Sequence, residues 1–140
     1  MKRYFVTPSR CTACRSCELA CSFRHGAFGL PGRTRIRTYP FGEGKNVPLT
    51  CMQCEQAACV SACPAGALVR NPATAAIDVG DARCIGCRAC VGACPFGAIS
   101  MLDKRPIAFK CDLCGGEPAC VAFCPTKAIE YREALPGAGR

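Results

Sequence analysis

The chain has 140 residues, of which 16 are Cys, 14 are Gly and 11 are Pro, and it contains no Trp. This cysteine content is typical of secreted disulfide scaffolds or of metal-binding domains, and it leaves few large apolar side chains for an ordinary core. Lys and Arg outnumber Asp and Glu by 18 to 10, giving a formal charge of +8. The basic residues are dispersed and no aromatic platform or binding motif accompanies them, which argues against nucleic acid as a partner.

The N-terminus and the hydropathy pattern bear on the compartment. Residues 1–8 are basic, and no apolar run of signal-peptide length precedes Pro8. Nowhere do about 18 apolar residues follow one another, so we expect no membrane span. The sequence therefore predicts a cytoplasmic protein. Closely spaced thiols in that reducing compartment favour metal ligation over disulfides.

Short β-like segments are predicted at 3–6, 33–38, 76–79, 99–102 and 107–109. Residues 29–32 and 40–48 are rich in turn-forming residues, so segment 33–38 is predicted to form one arm of a hairpin loop within 29–48. None of these segments exceeds about six residues, which is short even for a strand. The tail 131–140 is polar and contains Gly and Pro, which predicts an edge that frays toward its end.

Four cysteine quartets organise the chain. They are Cys11, Cys14, Cys17, Cys21; Cys51, Cys54, Cys59, Cys63; Cys84, Cys87, Cys90, Cys94; and Cys111, Cys114, Cys120, Cys124. The first and third have the spacing CxxCxxCxxxC, while the second and fourth have longer middle gaps. Pro follows the last cysteine of the second, third and fourth quartets, and segments 64–68, 95–99 and 125–129 then resemble one another. This duplication reaches beyond the cysteines.

The regular spacing favours iron-sulfur cubanes. A CxxCxxC loop supplies three thiolates from one turn, and the fourth cysteine lies about one helical turn further on, where it faces away from its own loop. That cysteine can ligate a neighbouring cluster, as in bacterial ferredoxins. The following Pro favours an extended conformation for that cysteine and removes an amide donor. Gly86 can adopt a positive φ where the third loop bends.

Zinc and disulfides are the structural alternatives. Structural zinc sites combine two CxxC pairs that are usually separated by a dozen or more residues, whereas a third and a fourth cysteine follow at once in every quartet. A disulfide framework would require an oxidising compartment. Four quartets with three Cys-Pro endings favour iron-sulfur clusters over both alternatives.

At these quartets the sequence resembles the bacterial 2×[4Fe-4S] ferredoxins. It is more similar to the four-cluster iron-sulfur subunits of the dimethyl sulfoxide reductase, formate dehydrogenase and hydrogenase type. The most specific matches are residues 51–59 with Cys63-Pro64, and residues 110–114 with 118–120. The resemblance implies an α+β fold of two ferredoxin-like modules, one inserted in the other and built around clusters. Residues 1–48 and 103–140 would form the outer module, with the hairpin loop 29–48, and residues 49–102 the inserted module.

The resemblance also implies the ligand sets, because the fourth cysteine of each quartet crosses to its module partner in that family. The implied sets are Cys11, Cys14, Cys17 with Cys124; Cys111, Cys114, Cys120 with Cys21; Cys51, Cys54, Cys59 with Cys94; and Cys84, Cys87, Cys90 with Cys63. All sixteen cysteines are then used once, for four [4Fe-4S] clusters. The thiolates and four oxidised cores would together carry a charge of about −8, which offsets the basic excess.

The resemblance implies one-electron transfer by a non-catalytic subunit of an oxidoreductase, such as a tungsten or molybdenum aldehyde or formate oxidoreductase, a hydrogenase or a carbon monoxide dehydrogenase. No nucleophile with a base, phosphate loop or carboxylate pair indicates catalysis by the chain itself. The expected partners are a catalytic subunit and a further electron donor or acceptor in a hetero-oligomer, and end-to-end association of copies is a further hypothesis. A free polyferredoxin carrier and a maturation accessory protein are the alternatives.

Three other features have weaker functional interpretations. His25 is the one histidine, and because sixteen cysteines already supply sixteen ligands, it is predicted to be a surface residue. Tyr4, Tyr39 and Tyr131 could lie near cluster edges, although electron transfer between cubanes does not require an aromatic intermediary. Arg33, Arg35 and Arg37 would share one face of the predicted strand 33–38, where an acidic partner could dock.

Overall fold

The computed structural model describes residues 1–26 and 33–135. The helices are α1 (Ser16–Arg24), α2 (Ala58–Ser61), α3 (Ala89–Ala93) and α4 (Ala119–Ala122), with 3-10 turns at Pro8–Arg10 and Leu113–Gly116. The strands are β1 (Lys2–Val6), β2 (Ile36–Pro40), β3 (Asn46–Thr50), β4 (Leu68–Arg70), β5 (Ile77–Val79), β6 (Ile99–Met101), β7 (Ala108–Lys110) and β8 (Ile129–Glu133).

The strands pair as four separate antiparallel ribbons, β1 with β8, β2 with β3, β4 with β5 and β6 with β7. The β1–β8 ribbon joins the two ends of the described chain, with Tyr4 opposite Tyr131. Two-stranded ribbons are marginal on their own and need packing against other elements. The α+β class predicted from the sequence is confirmed at this level. Among the described residues, none of the helices has the length and apolarity needed to span a bilayer.

The predicted strands near 3–6, 76–79, 99–102 and 107–109 are present within one or two residues. The predicted strand 33–38 is displaced, because β2 begins at Ile36 and pairs with β3 through the turn 41–45. This is the predicted hairpin, although residues 29–32 of the hairpin loop lie outside the described part. Strands β3, β4 and β8 were not among the predicted segments, and residues 46–48 of β3 were assigned to the turn-rich stretch 40–48. Of the three arginines, only Arg37 lies within a strand, so the prediction of one shared strand face is wrong.

Each helix begins one residue before the third cysteine of its quartet, so that Cys17, Cys59, Cys90 and Cys120 are all second residues of helices. The last cysteine follows one turn later, and in three quartets the next residue is proline. Cys94 accordingly has φ −81° and ψ 111°, the extended conformation that a following proline imposes. Helix α1 lacks this proline and continues past Cys21 to Arg24.

The turns after the last cysteines repeat a left-handed residue at the third position. Gly66 has φ 60° and Gly97 has φ 59°, and Lys127 has φ 54° at the equivalent place. The left-handed region costs a non-glycine residue about 1–2 kcal/mol, which explains the glycines at two of the three positions. The turn directs the next backbone amides back toward the cysteine.

Two buried clusters form the interior. The first cluster contains Tyr4, Cys17, Cys21, Ile36, Cys51, Ala76, Cys111, Leu113, Cys120, Cys124, Ala128 and Ile129. The second contains Ala57, Cys59, Leu68, Ile77, Cys90, Ile99 and Ala108. Ala108 follows the predicted domain boundary at residue 102, and β7 pairs with β6 across that boundary. The ribbons and helices thus pack onto cysteine-rich interiors rather than onto a layer of large apolar side chains.

Two glycines with left-handed backbones give a matched test of crowding in the third quartet. Gly86 has φ 72°, as the sequence predicted for a bend, and a Cβ there would lie 2.7 Å from the Cβ of Pro106. At Gly97 a Cβ would meet nothing within 4 Å. We expect Gly97→Ala to cost only the backbone energy of about 1 kcal/mol, and Gly86→Ala to cost more because a neighbouring loop must also shift. The guanidinium midpoint for loss of visible absorbance measures both. Equal midpoints would show that the contact with Pro106 contributes nothing.

Candidate metal centres

All sixteen predicted ligands lie in the described part of the chain, and all are unpaired thiols. Eight are buried, six are half-buried and two, Cys14 and Cys87, are exposed. The thiols are therefore not consumed by disulfides, and most of them face the interior.

The buried clusters divide the quartets into two groups. Cysteines of the first and fourth quartets meet in the first cluster, where Cys17 and Cys21 lie with Cys111, Cys120 and Cys124. Cysteines of the second and third quartets meet in and around the second cluster, which includes Cys59, Cys90 and the adjacent Cys54, Cys63, Cys84 and Cys94. Cys51 is the exception, since it packs in the first cluster. Cys14, Cys87 and Cys114 belong to neither cluster.

Backbone amides point at several of these sulfurs. The amide of Ala67 donates to Cys63 Sγ at 3.3 Å, and the amide of Ala98 donates to Cys94 Sγ at 3.4 Å, each from four residues further along the repeated turn. The amide of Arg35 donates to Cys21 Sγ at 3.3 Å, which ties the start of the hairpin to α1. Amide donors favour the thiolate form of sulfur and tune the potential of a bound cluster.

Burial has the opposite effect from the amide donors, because it favours the neutral thiol over the thiolate. Loss of solvation, with a contribution from nearby cysteines, raises the pKa of Cys21 to about 11 and that of Cys120 to about 12. Burial likewise raises the pKa of Cys17, Cys51 and Cys90. Thiolates at these positions require a compensating positive charge, which iron supplies on ligation. The donor set therefore fits iron-sulfur cores.

A buried lysine lies where the two clusters of cysteines meet. Lys110 is 3 % exposed, and its Nζ donates to the carbonyl oxygen of Cys111 at 2.9 Å, to Gln53 Oε1 at 3.3 Å and to the carbonyl oxygen of Ile77. The three donors of an ammonium group are thus all satisfied. The positive charge of Lys110 also lowers the pKa of Cys51 and Cys59, although burial acts more strongly to raise both. Gln53 completes the bridge, because its Nε2 donates to Cys111 O at 2.8 Å and its Oε1 accepts from Ile77 N at 2.8 Å.

Tyr4 contacts the sulfurs of the fourth quartet, as the sequence allowed. Its hydroxyl lies 3.4 Å from Cys120 Sγ and 4.0 Å from Cys111 Sγ, and its ring packs on Tyr131 at 5.4 Å between centroids. Burial is the main cause that raises the pKa of this hydroxyl far above its usual range, and the adjacent thiols add to it. A neutral hydroxyl can only donate to a thiolate, because a metal-bound sulfur carries no proton.

The prediction that His25 is a surface residue is wrong. Its side chain is 13 % exposed, and Nε2 lies 3.8 Å from Cys114 Sγ and 3.5 Å from Asp112 Oδ1. Asp112 also accepts from Arg35 Nη1 at 2.6 Å. Burial and the positive charge of Arg35 lower the pKa of His25, and Asp112 opposes them. Sequence reasoning missed this group because helix α1 carries His25 past Cys21 to a loop that is distant in the chain.

The site as a whole defines a class of protein. Thirteen of the sixteen unpaired thiols lie in or against two buried interiors, and amide, hydroxyl and ammonium donors contact several of them. Such a chain is a small α+β protein that is built around several cysteine-ligated metal clusters.

Comparison with known proteins identifies the family. Residues 43–134 match the 4Fe-4S dicluster domain, and residues 8–24 match a 4Fe-4S binding domain. The polyferredoxin-like subunit of the aliphatic sulfonate oxidoreductase of Pyrococcus furiosus is 43% identical over 85% of this chain and 69% of its own length. An iron-sulfur protein of Rhodospirillum rubrum is 38% identical over 94% of this chain and 85% of its own length. Formate hydrogenlyase subunit 2 of Escherichia coli is 33% identical over 92% of this chain and 81% of its own length.

A solved structure shares the fold. The active site complex BamBC of benzoyl coenzyme A reductase, in complex with 1,5-dienoyl-CoA, aligns with a TM-score of 0.52 at 24% identity, over 99% of this chain and 81% of that one. The chain therefore belongs to the 4Fe-4S dicluster family of ferredoxin-like electron-transfer proteins. Its sixteen cysteines fit multiple [4Fe-4S] clusters, as the sequence predicted.

The Tyr4 hydroxyl gives a prediction about redox potential. A hydrogen bond to sulfur stabilises the additional negative charge of a reduced cluster, so we expect Tyr4→Phe to lower the midpoint potential of one cluster by roughly 20–60 mV. Potentiometric titration followed by electron paramagnetic resonance measures the shift. Tyr131→Phe is the control, since the Tyr131 hydroxyl has no hydrogen bond to sulfur among the described residues. Equal shifts in both variants would contradict this role for Tyr4.

Lys110 gives a prediction about stability. Lys110→Met keeps the length of the side chain but removes three hydrogen bonds from buried acceptors, which costs roughly 1–3 kcal/mol or more. We expect the guanidinium midpoint for loss of cluster absorbance to fall clearly. Lys104→Met provides the control because Lys104 is exposed on the preceding turn. If the two variants lose their clusters at the same midpoint, the buried bridge has no structural role.

Proposed function

We propose that this chain is the electron-transfer subunit of a multi-subunit oxidoreductase and that it holds four [4Fe-4S] clusters. The observation that carries the proposal is the meeting of the first quartet with the fourth in one buried cluster and, apart from Cys51, of the second with the third in the other. When bound, each cluster accepts and releases one electron at a time. The chain's own residues hold the sulfurs, bury eight of the sixteen cysteines and supply hydrogen-bond donors.

The proposed ligand sets pair the quartets in the same way. Cys124 would complete the set of Cys11, Cys14 and Cys17, and Cys21 would complete the set of Cys111, Cys114 and Cys120. Cys94 would complete the set of Cys51, Cys54 and Cys59, and Cys63 would complete the set of Cys84, Cys87 and Cys90. The mixed composition of both buried clusters supports this crossing of the fourth cysteines.

The proposed domain organisation follows from these sets. Residues 49–102 would form a module inserted into a second module made by residues 1–48 and 103–140. Strand β7 would attach the outer module to the inserted one, since it pairs with β6. The ion pair Arg3–Glu55 links the β1–β8 ribbon to the loop of the second quartet. The ion pair Arg35–Asp112 links the start of the hairpin to the loop of the fourth quartet.

The relatives named above support a partner enzyme. One is described as a subunit of an aliphatic sulfonate oxidoreductase and another as a subunit of formate hydrogenlyase, and this chain spans most of each. We propose a stoichiometric complex with a catalytic redox subunit in the cytoplasm. Purification from native cells tests this, because a subunit copurifies with a large catalytic chain in fixed ratio, whereas a free carrier or an accessory protein does not.

Metal analysis tests the number of clusters. Four [4Fe-4S] clusters require about sixteen iron and sixteen acid-labile sulfide per chain of anaerobically purified protein. After dithionite reduction, electron paramagnetic resonance should show interacting cubane signals. About eight of each would reduce the proposal to a two-cluster protein, and zinc without sulfide would contradict it.

Paired substitutions test the crossing of the ligands. If Cys63 shares a cluster with Cys87, then Cys63→Ser with Cys87→Ser disrupts one cluster and leaves about twelve iron per chain. Cys63→Ser with Cys54→Ser then disrupts two clusters and leaves about eight. The opposite order of iron contents would mean that each quartet ligates its own cluster. The single variants provide the reference values for incomplete loss.

A further inference from the structure

Two of the four quartet loops share a basic motif. Residues 10–17 read RCTACRSC and residues 83–90 read RCIGCRAC, so each loop has the pattern R-C-x-x-C-R-x-C. Each contains two arginines and no acidic residue. We name these the outer loops, and the corresponding segments 50–59 and 110–120 of the other quartets the inner loops. The inner loops lack arginine and carry Glu55, Asp112 and Glu117.

Exposure follows the same division. Cys14 and Cys87, the middle cysteines of the outer loops, are the two exposed cysteines among the sixteen. The flanking arginines, Arg10 and Arg15 in one loop and Arg83 and Arg88 in the other, are also exposed. None of these four arginines forms an ion pair within the described residues. Each outer loop therefore presents a cluster ligand to solvent between two unpaired positive charges.

Two of the three acidic residues in the inner loops form ion pairs with arginines of other segments. Glu55 pairs with Arg3, and Asp112 pairs with Arg35 at 2.6 Å and lies near His25. Arg3 and Arg35 are thus each paired with a carboxylate of an inner loop, whereas the four outer arginines have no carboxylate partner within the described residues. The inner and outer loops contain the same number of cysteines but only the outer loops contain arginine. Cluster ligation itself therefore does not require arginine beside the cysteines.

The backbone holds the two outer loops in one conformation. Arg15 has φ 58° and Arg88 has φ 62°, and each immediately precedes the helix that carries the third cysteine. A left-handed backbone at a non-glycine residue is unfavourable, so surrounding structure must maintain it. In the third quartet the loop also packs on Pro106 through Gly86, beside the exposed Lys104 and Arg105. The geometry therefore repeats at two places that are distant in the chain.

We propose that the two outer loops are separate docking sites for acidic surfaces of redox partner proteins, one for an electron donor and one for an acceptor. This inference rests on the proposed electron-transfer function and names the chemistry of its partners. Guanidinium groups bind carboxylates with paired hydrogen bonds, and they lose less hydration energy on docking than lysine does. Two arginines around an exposed ligand both attract an acidic partner and let it approach a cluster closely.

The test uses the cluster-loaded protein and oxidants of opposite charge. Dithionite-reduced protein is mixed in a stopped-flow instrument with anionic iron(III)-EDTA, with cationic tris(phenanthroline)cobalt(III), or with oxidised flavodoxin as an acidic protein probe. Three variants are compared with the native protein. One double variant carries Arg10→Glu and Arg15→Glu, the other carries Arg83→Glu and Arg88→Glu, and a four-fold variant carries all four changes. The four-fold variant is expected to react roughly tenfold more slowly with both negative probes at low ionic strength and faster with the cation. The difference should vanish at high salt.

Arg33→Glu with Lys45→Glu is the matched control for each double variant, because both residues are exposed near the hairpin and two basic residues become Glu in either case. Redox-inert hexacyanocobaltate(III) gives a second readout, and it should inhibit the anionic reaction in the native protein but not in the four-fold variant. Equal slowing in the control would mean that only net charge matters and would overturn the proposal, as would flavodoxin rates that the outer arginines do not change. Native protein without iron and sulfide would instead contradict the proposed electron-transfer function. Failure of the docking proposal and failure of the proposed function are therefore distinguishable.

Discussion

The main energetic constraint on this fold is that cysteine sulfurs are buried in the interior and yet must be negatively charged thiolates in order to ligate iron. Eight of sixteen thiols are buried, and burial raises the pKa of several of them, so a metal-free interior would hold neutral thiols with little apolar bulk beside them. In the described part of the chain, the buried large aliphatic side chains are few, namely Ile36, Leu68, Ile77, Ile99, Ile107, Leu113 and Ile129. Metal-thiolate bonds therefore have to supply what an apolar core supplies elsewhere, which couples folding to cluster binding.

Compensation of that charge accounts for most of the polar contacts in the interior. Amides after the repeated turns donate to cysteine sulfurs, Tyr4 adds a hydroxyl, and Lys110 places a buried cation between the two groups of cysteines. A buried ammonium is costly unless all of its donors are satisfied, and here three oxygens accept from it. Lys110 is thus a basic residue whose charge is placed beside the buried thiols of the second quartet.

The sequence was sufficient for whatever depends on local spacing. Cysteine intervals and the following prolines predicted the loops, the quartets and the extended backbone at Cys94, because three residues of separation already restrict the geometry. Contacts that depend on tertiary packing were not predicted. His25 reaches Cys114 only because α1 continues past Cys21, and the role of Lys110 depends on how β5 and the second quartet pack around it. Neither leaves a pattern in the local sequence.

Internal duplication explains why the molecule has two kinds of loop. If two modules of similar fold pack against each other, one loop of each faces the partner module and the other faces solvent. The inner loops then lie near the centre, where acidic residues can pair with Arg3 and Arg35. Under that arrangement the outer loops would lie at opposite ends, and their exposed arginines, which form no ion pair among the described residues, flank the exposed Cys14 and Cys87. Under the proposed ligand sets, the same loop chemistry would serve both the entry and the exit of electrons, so the direction of flow would depend on the partners and the cluster potentials.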